Sequence, residues 1–206
     1  MVLSRGRFVS VCFSFVLLAG CSYSYRQPVG SIVPSPTPVT SRTLADRFSF
    51  PVGDGAILTQ AKDNKDDWYN ALEFGENAHL GEDWNKNTGG NTDCGEPVYA
   101  AANGVVTYAA DAGVGWGNVI IVEHTLPSGD KVQTLYGHLI EIQKSVGEVK
   151  IREQIGKVGN ANGRYPCHLH FEIRTANCPD WNKAGGGYAN DKTGWTDPSD
   201  FIYGRR

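Results

Sequence analysis

The chain lacks three things: a long apolar run, a surplus of positive charge and a sustained helical periodicity. Each lack removes a class of protein. The main apolar stretch, Phe8–Leu18, is too short to span a bilayer. A net charge of −3 provides no basic patch of the kind a nucleic-acid partner needs, so no nucleic acid is expected. No segment keeps apolar residues on one helical face over several turns, which argues against a helical bundle. Internal repeats are absent as well, and with them solenoids and propellers. What remains is a chain of 206 residues, 40% apolar, with 25 glycines. That is enough for one domain with a real core and many turns.

The N-terminus reads as an export signal. Arg5 and Arg7 form a basic flank, the apolar stretch follows, and it ends in Leu18-Ala19-Gly20-Cys21. That string resembles the bacterial lipobox. The resemblance implies cleavage before Cys21 and a diacylglycerol on its thiol, so that a membrane holds the protein by acyl chains. An ordinary secretory signal with a nearby cysteine is the alternative. Loss of residues 1–20 leaves 17 basic against 22 acidic side chains. Ser22, rather than Asp, follows the cysteine; in a Gram-negative this implies the outer membrane, facing the periplasm. Residues 21–42 carry prolines 28, 34, 36 and 38 among Ser and Thr, the composition of a semi-extended tether. The expected division is therefore 1–20 signal peptide, 21–42 lipidated cysteine and tether, and 43–206 folded domain. Cys94, Cys167 and Cys178 are left in an oxidising compartment. One disulfide and one thiol follow, with three pairings open. Cys167 is either half of a bridge that restrains the neighbouring His168 or a small buried filler.

Strand signals dominate the domain. Asn118–His124 is a nearly continuous β-branched run, as in a strand buried on both faces. Val105–Tyr108 follows an Asn-Gly turn, and Leu126–Lys131 reads as a hairpin loop. In the segment 132–139, Val132, Thr134, Tyr136 and His138 fall on one face by alternation. Ile155–Gly159 is a short strand, Asn160–Gly163 a loop, and Gly113–Gly117 a turn rather than a nucleotide fingerprint, since no helix follows it. Trp68–Phe74 is expected to give a turn or two of helix. The whole is an all-β domain of short strands.

Four of the five histidines sit in three blocks: His79-Leu-Gly-Glu-Asp83, Gly137-His138-Leu139 and His168-Leu169-His170. On a strand, His168, His170, Glu172 and Arg174 share one face while Leu169, Phe171 and Ile173 take the other. Three such donors can hold a catalytic zinc and leave a fourth position for water. Histidines outside that set can then move a proton or bind a developing oxyanion. Singly, each block is weak, because H-x3-D and H-x-H arise by chance and a lone histidine is more often structural. His124 is expected to be structural. Of Trp84, Trp116, Tyr165, Trp181 and Trp195, only Tyr165 is expected near the site; local packing is the default for the others.

The surrounding text, from about Ala78 to Arg174, resembles the lysostaphin-type (LytM-domain) zinc metallopeptidases. In order it carries HxGxD as His79–Asp83, G-x-P-V-x-A as Gly95–Ala100, G-x-V as Gly104–Val106 and G-x-G-N-x-V-x-I as Gly115–Ile121. T-L-Y-x-H-L follows as Thr134–Leu139, then I-G-x-V-G as Ile155–Gly159 and H-L-H-F-E as His168–Glu172. The resemblance implies an open antiparallel sheet with an active-site groove, of the glucose-permease-IIA or duplicated-hybrid-motif type. It implies Zn2+ held by His79, Asp83 and His170, with His138 and His168 as catalytic partners. Neighbours on a strand face opposite ways, so Glu82 and Asp83 cannot both reach the metal, and the pattern selects Asp83. The implied substrate is a peptide cross-link between peptidoglycan stem peptides. Relatives lacking ligands activate other wall enzymes, so a non-catalytic lipoprotein that binds and activates a cell-wall amidase is the alternative, and occlusion of the groove by Thr43–Asn77 would favour it. A zinc-storage lipoprotein would have no need of His138 and His168. Two departures stand out. Cys167 takes the place of the usual residue before H-L-H, and the polar stretch Trp84–Asp93 is longer than usual, which is expected to reshape a groove wall.

Overall fold

The computed structural model describes residues 44–54 and 67–206. The signal peptide, Cys21 and the tether lie outside the described residues, as do residues 43 and 55–66 of the segment expected to cover the groove. No described helix is long and apolar enough to cross a membrane.

The domain is nearly all β. Its strands are β1 (Trp68–Leu72), β2 (Glu82–Lys86), β3 (Pro97–Tyr99), β4 (Gly104–Asp111), β5 (Asn118–Thr125), β6 (Lys131–Leu139), β7 (Glu141–Ile142), β8 (Gly147–Val149), β9 (Gln154–Lys157), β10 (Leu169–Thr175) and β11 (Trp195–Thr196). One short helix, α1 (Pro198–Tyr203), ends the chain. The large sheet runs β1-β2-β10-β6-β5-β4-β8, antiparallel throughout, with β11 paired to the far half of β10. A smaller sheet runs β3-β9-β7. Trp84, Tyr136, Leu169, Phe171 and Ile173 of the large sheet join Val98 and Ile155 of the small one in a single core, completed by Phe48, Phe50 and Val52. The other side of the large sheet buries Val119, Ile121 and Leu135 under Tyr108 and Trp116. β5 is thus covered on both faces, which is why its sequence is β-branched without alternation.

Two expectations are corrected. Trp68–Leu72 is a strand, not helix: it pairs antiparallel with β2 and alternately buries Trp68 and Asn70. Pairing with a neighbour overrides weak local propensity in so short a segment. Helix α1 was not foreseen, although its start is conventional, with Asp197 as N-cap accepting from the amide of Asp200 and Pro198 in the first turn.

The second correction concerns β6. Asn118 pairs with Leu139 but Ile120 pairs with Tyr136, so β6 carries one residue more than β5 between those pairs. The excess is a β-bulge, and His138 in it has φ of 64°. Simple alternation puts His138 on the core face with Val132 and Tyr136. The bulge breaks that phase and turns its imidazole to the opposite face. Gly137 already points to that face: a Cβ there would lie 3.0 Å from the Trp116 ring and 3.4 Å from the His170 Cβ.

Candidate metal centre

β2 and β10 lie side by side, with Asp83 directly across from His170. Directly opposed residues share a face. The His170 Nδ1 is accordingly 3.1 Å from the Asp83 Oδ1. His79 precedes β2 and is held by pairing with residue 188. Its Nε2 lies 2.9 Å from the His170 Nδ1 and 3.3 Å from the Asp83 Oδ1. One donor atom from each of the three residues falls within 4.8 Å of the others. Two imidazole nitrogens and a carboxylate oxygen are a donor set suited to zinc.

The support behind this triad fixes its chemistry. Glu172, two residues on and fully buried, accepts from the His170 Nε2 at 2.9 Å. The Nε2 proton of His170 is therefore fixed by Glu172, and Nδ1, facing Asp83 and His79, is the nitrogen that carries either a second proton or a metal. Burial alone would lower the His170 pKa, but Asp83 and Glu172 hold it up to about 9. A position flanked by two carboxylates favours a cation of either kind, proton or metal. Burial opposes ionisation of Asp83 too, yet its hydrogen bonds to His170 and His79 keep its pKa well below the usual carboxylate range. The fully buried Arg174 balances Glu172, donating from Nε to Oε2 at 2.6 Å, while Trp195 Nε1 donates to the same oxygen at 2.8 Å. Its remaining donors reach the carbonyls of Asp180, Lys183 and Ala184.

His138 and His168 stand beside the triad. Their rings are 4.7 Å apart, and the His168 Nε2 is 3.7 Å from the Asp83 Oδ2. Each donates from Nδ1 to a backbone carbonyl, His138 to Trp116 at 3.2 Å and His168 to Pro166 at 2.9 Å. A carbonyl can only accept, so a neutral ring in either place leaves the Nε2 lone pair free to take a proton. Burial and the neighbouring imidazoles of His170 and His168 push the His138 pKa down to about 3.

The five sequence-selected residues thus lie together, four of them around one cavity lined also by Trp116, Tyr165, Gly187 and Tyr188, with His79 buried behind it. Glu82 points away into the protein, where its Oε1 accepts from the amide of Ser199 and burial raises its pKa to about 8. His124 is buried far along β5 with its ring nitrogens bonded to Asn103 O and Thr134 Oγ1. Tyr165 is at the cavity as expected, its ring 5.3 Å from that of His138. Trp116, expected merely to pack, belongs to the site, its ring 5.0 Å from His170 and 5.8 Å from His138. Its glycine-flanked turn was the available signal. Tyr188, with its ring 5.0 Å from His79, carried none. Of the segment expected to occlude the groove, the described parts, 44–54 and 67–77, contribute nothing to the cavity lining. The stretch 84–93 does not line it either.

A model of peptidase family M23 matches residues 78–182, just over half of the chain. The chain belongs to peptidase family M23. All five histidine and aspartate positions fall inside the M23 match, whereas Gly187 and Tyr188 lie beyond it. Among relatives, the chain is 39% identical over 80 residues to the DD-carboxypeptidase/endopeptidase Mpg of Neisseria meningitidis serogroup B, covering 39% of this chain and 17% of that protein. It is 39% identical over 84 residues to lipoprotein NlpD of Yersinia enterocolitica, covering 39% of this chain and 78% of that protein. The chain therefore spans only a small part of the length of the Mpg proteins it matches. The solved complex of SpoIIIAH and SpoIIQ contains a chain of the same fold, 21% identical, with TM-score 0.53, covering 75% of this chain and 99% of that one.

Proposed function

We propose that this M23 protein is a zinc-dependent endopeptidase that hydrolyses peptide cross-links of peptidoglycan. The observation that carries the reading is the convergence of the His79 Nε2, Asp83 Oδ1 and His170 Nδ1, with two non-ligand imidazoles beside them at one cavity. Those three atoms would hold the metal. When bound, zinc supplies a Lewis acid for the scissile carbonyl and lowers the pKa of water.

The chain's own residues do the rest. Glu172 keeps the His170 proton on Nε2 and so preserves its Nδ1 as a ligand. His138 and His168, each with Nδ1 tied to a carbonyl, present Nε2 as proton acceptor. One takes the proton of the attacking water and returns it to the leaving amine nitrogen, and while it holds that proton it also stabilises the negative charge developing on the carbonyl oxygen; the other orients the water through its free Nε2. Trp116, Tyr165 and Tyr188 wall the cavity and limit the access of bulk water.

Stem peptides of peptidoglycan are the expected substrate, with the domain at 43–206 carried on a tether (21–42) from lipidated Cys21 after loss of 1–20. Curated relatives named as lipoproteins support that anchoring. In a Gram-negative, Ser22 after the lipidated cysteine is expected to direct the enzyme to the outer membrane facing the periplasm, with the D-Ala to meso-diaminopimelate bond as the expected target. The test is digestion of purified sacculi by the protein lacking residues 1–42, with mass analysis of the muropeptides. Loss of cross-linked dimers, abolished in His138→Ala, is the expected result. Persistence of dimers with zinc bound would sink the enzyme reading and leave activation of an amidase as the surviving role. Zinc content of His79→Ala and Asp83→Ala tests the ligands separately; stoichiometric zinc in both would overturn the assignment.

A further inference from the structure

His168 is the least supported member of the site. It precedes β10, and its own amide makes a single backbone hydrogen bond, to Gly159 O at 3.1 Å. Its ring is oriented by the Nδ1 hydrogen bond to Pro166 O at 2.9 Å, and the backbone that carries both residues is anchored at Cys167 between them. The amide of Cys167 donates to Asn91 Oδ1 at 2.9 Å, its carbonyl accepts from Asn85 Nδ2 at 3.1 Å, and its sulfur is bonded to Cys94. All three partners belong to one stretch, 85–94, which starts at the end of β2 and runs into the connection to β3. Asn85 is itself tied to the buried Asp93 by a 3.2 Å hydrogen bond. The long polar insertion and the cysteine before H-L-H, two separate oddities of the sequence, are therefore one structure. The metal triad hangs on different supports: strand pairing between β2 and β10, pairing of His79 with residue 188, and the carboxylate of Glu172.

We propose that the insertion Trp84–Asp93, through Asn91 and the disulfide of the adjoining Cys94, is a brace that positions His168 for proton transfer without contributing to metal binding. The proposal rests on the peptidase reading for its kinetic consequence, but not for its structural one. With Cys167 fixed at N–H, C=O and Sγ, the following Cα has little freedom, and the imidazole is placed against Asp83 and His138. A misplacement of about 1 Å at such a group lowers turnover by roughly a hundredfold.

The test compares Asn91→Ala, Asn91→Asp and the Cys94→Ala/Cys167→Ala double variant with the parent, all zinc-loaded. Three quantities are read: zinc per chain, kcat and KM on a cross-linked muropeptide, and the imidazole 15N resonances of each histidine. Asn91→Ala and the double variant should keep full zinc. Their kcat should fall about ten- to a hundredfold with little change in KM, and only the His168 and His138 resonances should shift or broaden. Asn91→Asp, which still offers an acceptor to the Cys167 amide, should restore most of the turnover. If the double variant does not fold, Asn91→Ala keeps the bridge and still decides. Unchanged kcat together with unchanged His168 resonances overturns the brace, as does loss of zinc or movement of the His79 and His170 resonances. If the parent itself cleaves nothing, the peptidase reading fails, and the resonances alone decide the brace.

Discussion

Replacing Glu172 by glutamine should weaken the fold and the metal site together, by amounts that can be separated. The carboxylate is fully buried and saturated: Oε1 takes the His170 Nε2–H, and Oε2 takes donors from Arg174 and Trp195. Every partner is a donor. Glutamine keeps the shape but offers one accepting oxygen and one amide that can only donate. Its amide then faces either the donors of Arg174 and Trp195 or the His170 Nε2, which must give up its proton to Nδ1, and Arg174, also fully buried, loses its counter-charge. Breaking a buried pair on one side costs about 3–5 kcal/mol. Removing the carboxylate that orients a histidine ligand costs roughly 10- to 100-fold in metal affinity, or about 1.4–2.7 kcal/mol. Urea unfolding of the metal-free proteins reads the first quantity. Repetition at a fixed free zinc concentration well above both dissociation constants reads the second, because the extra stabilisation by zinc shrinks by RT times the logarithm of the affinity ratio. A metal-free variant within about 0.5 kcal/mol of the parent, a shift typical of an inconsequential surface change, would refute the claim that this network is a buried charge pair. A zinc affinity within threefold would refute the role of Glu172 in fixing the His170 tautomer.

Three further outcomes are expected. Gly137→Ala puts a methyl 3.0 Å from the Trp116 ring; overpacking of about 1–3 kcal/mol should appear in chemical denaturation with a change in tryptophan emission, and an unaltered spectrum would contradict the packing described. Removing the Cys94–Cys167 bridge, which closes 73 residues, should lower stability by about 4 kcal/mol in the chain-entropy account, measured as the loss of unfolding free energy in Cys94→Ala/Cys167→Ala. His124, buried and held neutral, has its pKa pushed down to about 4 by desolvation. The unfolded chain binds the extra proton first, so stability should fall as pH drops from 6.5 towards 4 and level off below. His124→Gln should lack roughly 3 kcal/mol of that loss, and a parallel pH dependence in parent and variant would show that His124 is not buried as a neutral ring.

Sequence patterns revealed what period and composition can encode. The two faces of β10 follow from alternation, and the double burial of β5 from its β-branched run. His79, Asp83, His138, His168 and His170 came together because the family text orders them; spacing alone left each ambiguous. The remainder depends on contacts between distant segments. Asn118 and Ile120 of β5 set the register that exposes the bulge in β6, and no local signal in Gly137-His138 says which face the histidine takes. The choice among three cysteine pairings needed the insertion Trp84–Asp93 and the adjoining Cys94 folded against residue 167. Tyr188 reaches His79 only because residues 187–189 run beside residues 78–80, through hydrogen bonds from the Leu80 amide to Gly187 O and from the Ala189 amide to Ala78 O.

Arg174 has a consequence for how this groove could be altered. One end of its guanidinium anchors the carboxylate behind His170, and the other takes the carbonyls of Asp180, Lys183 and Ala184. The same stretch runs on to Gly185, whose carbonyl receives the Trp116 Nε1, and then to Tyr188 at the cavity. Any transplanted wall of different length must return three carbonyls to the same buried guanidinium or leave its outer N–H donors unpaired. Exchange of the rim for one of another specificity is therefore a problem of satisfying an arginine before it is a problem of fitting a substrate.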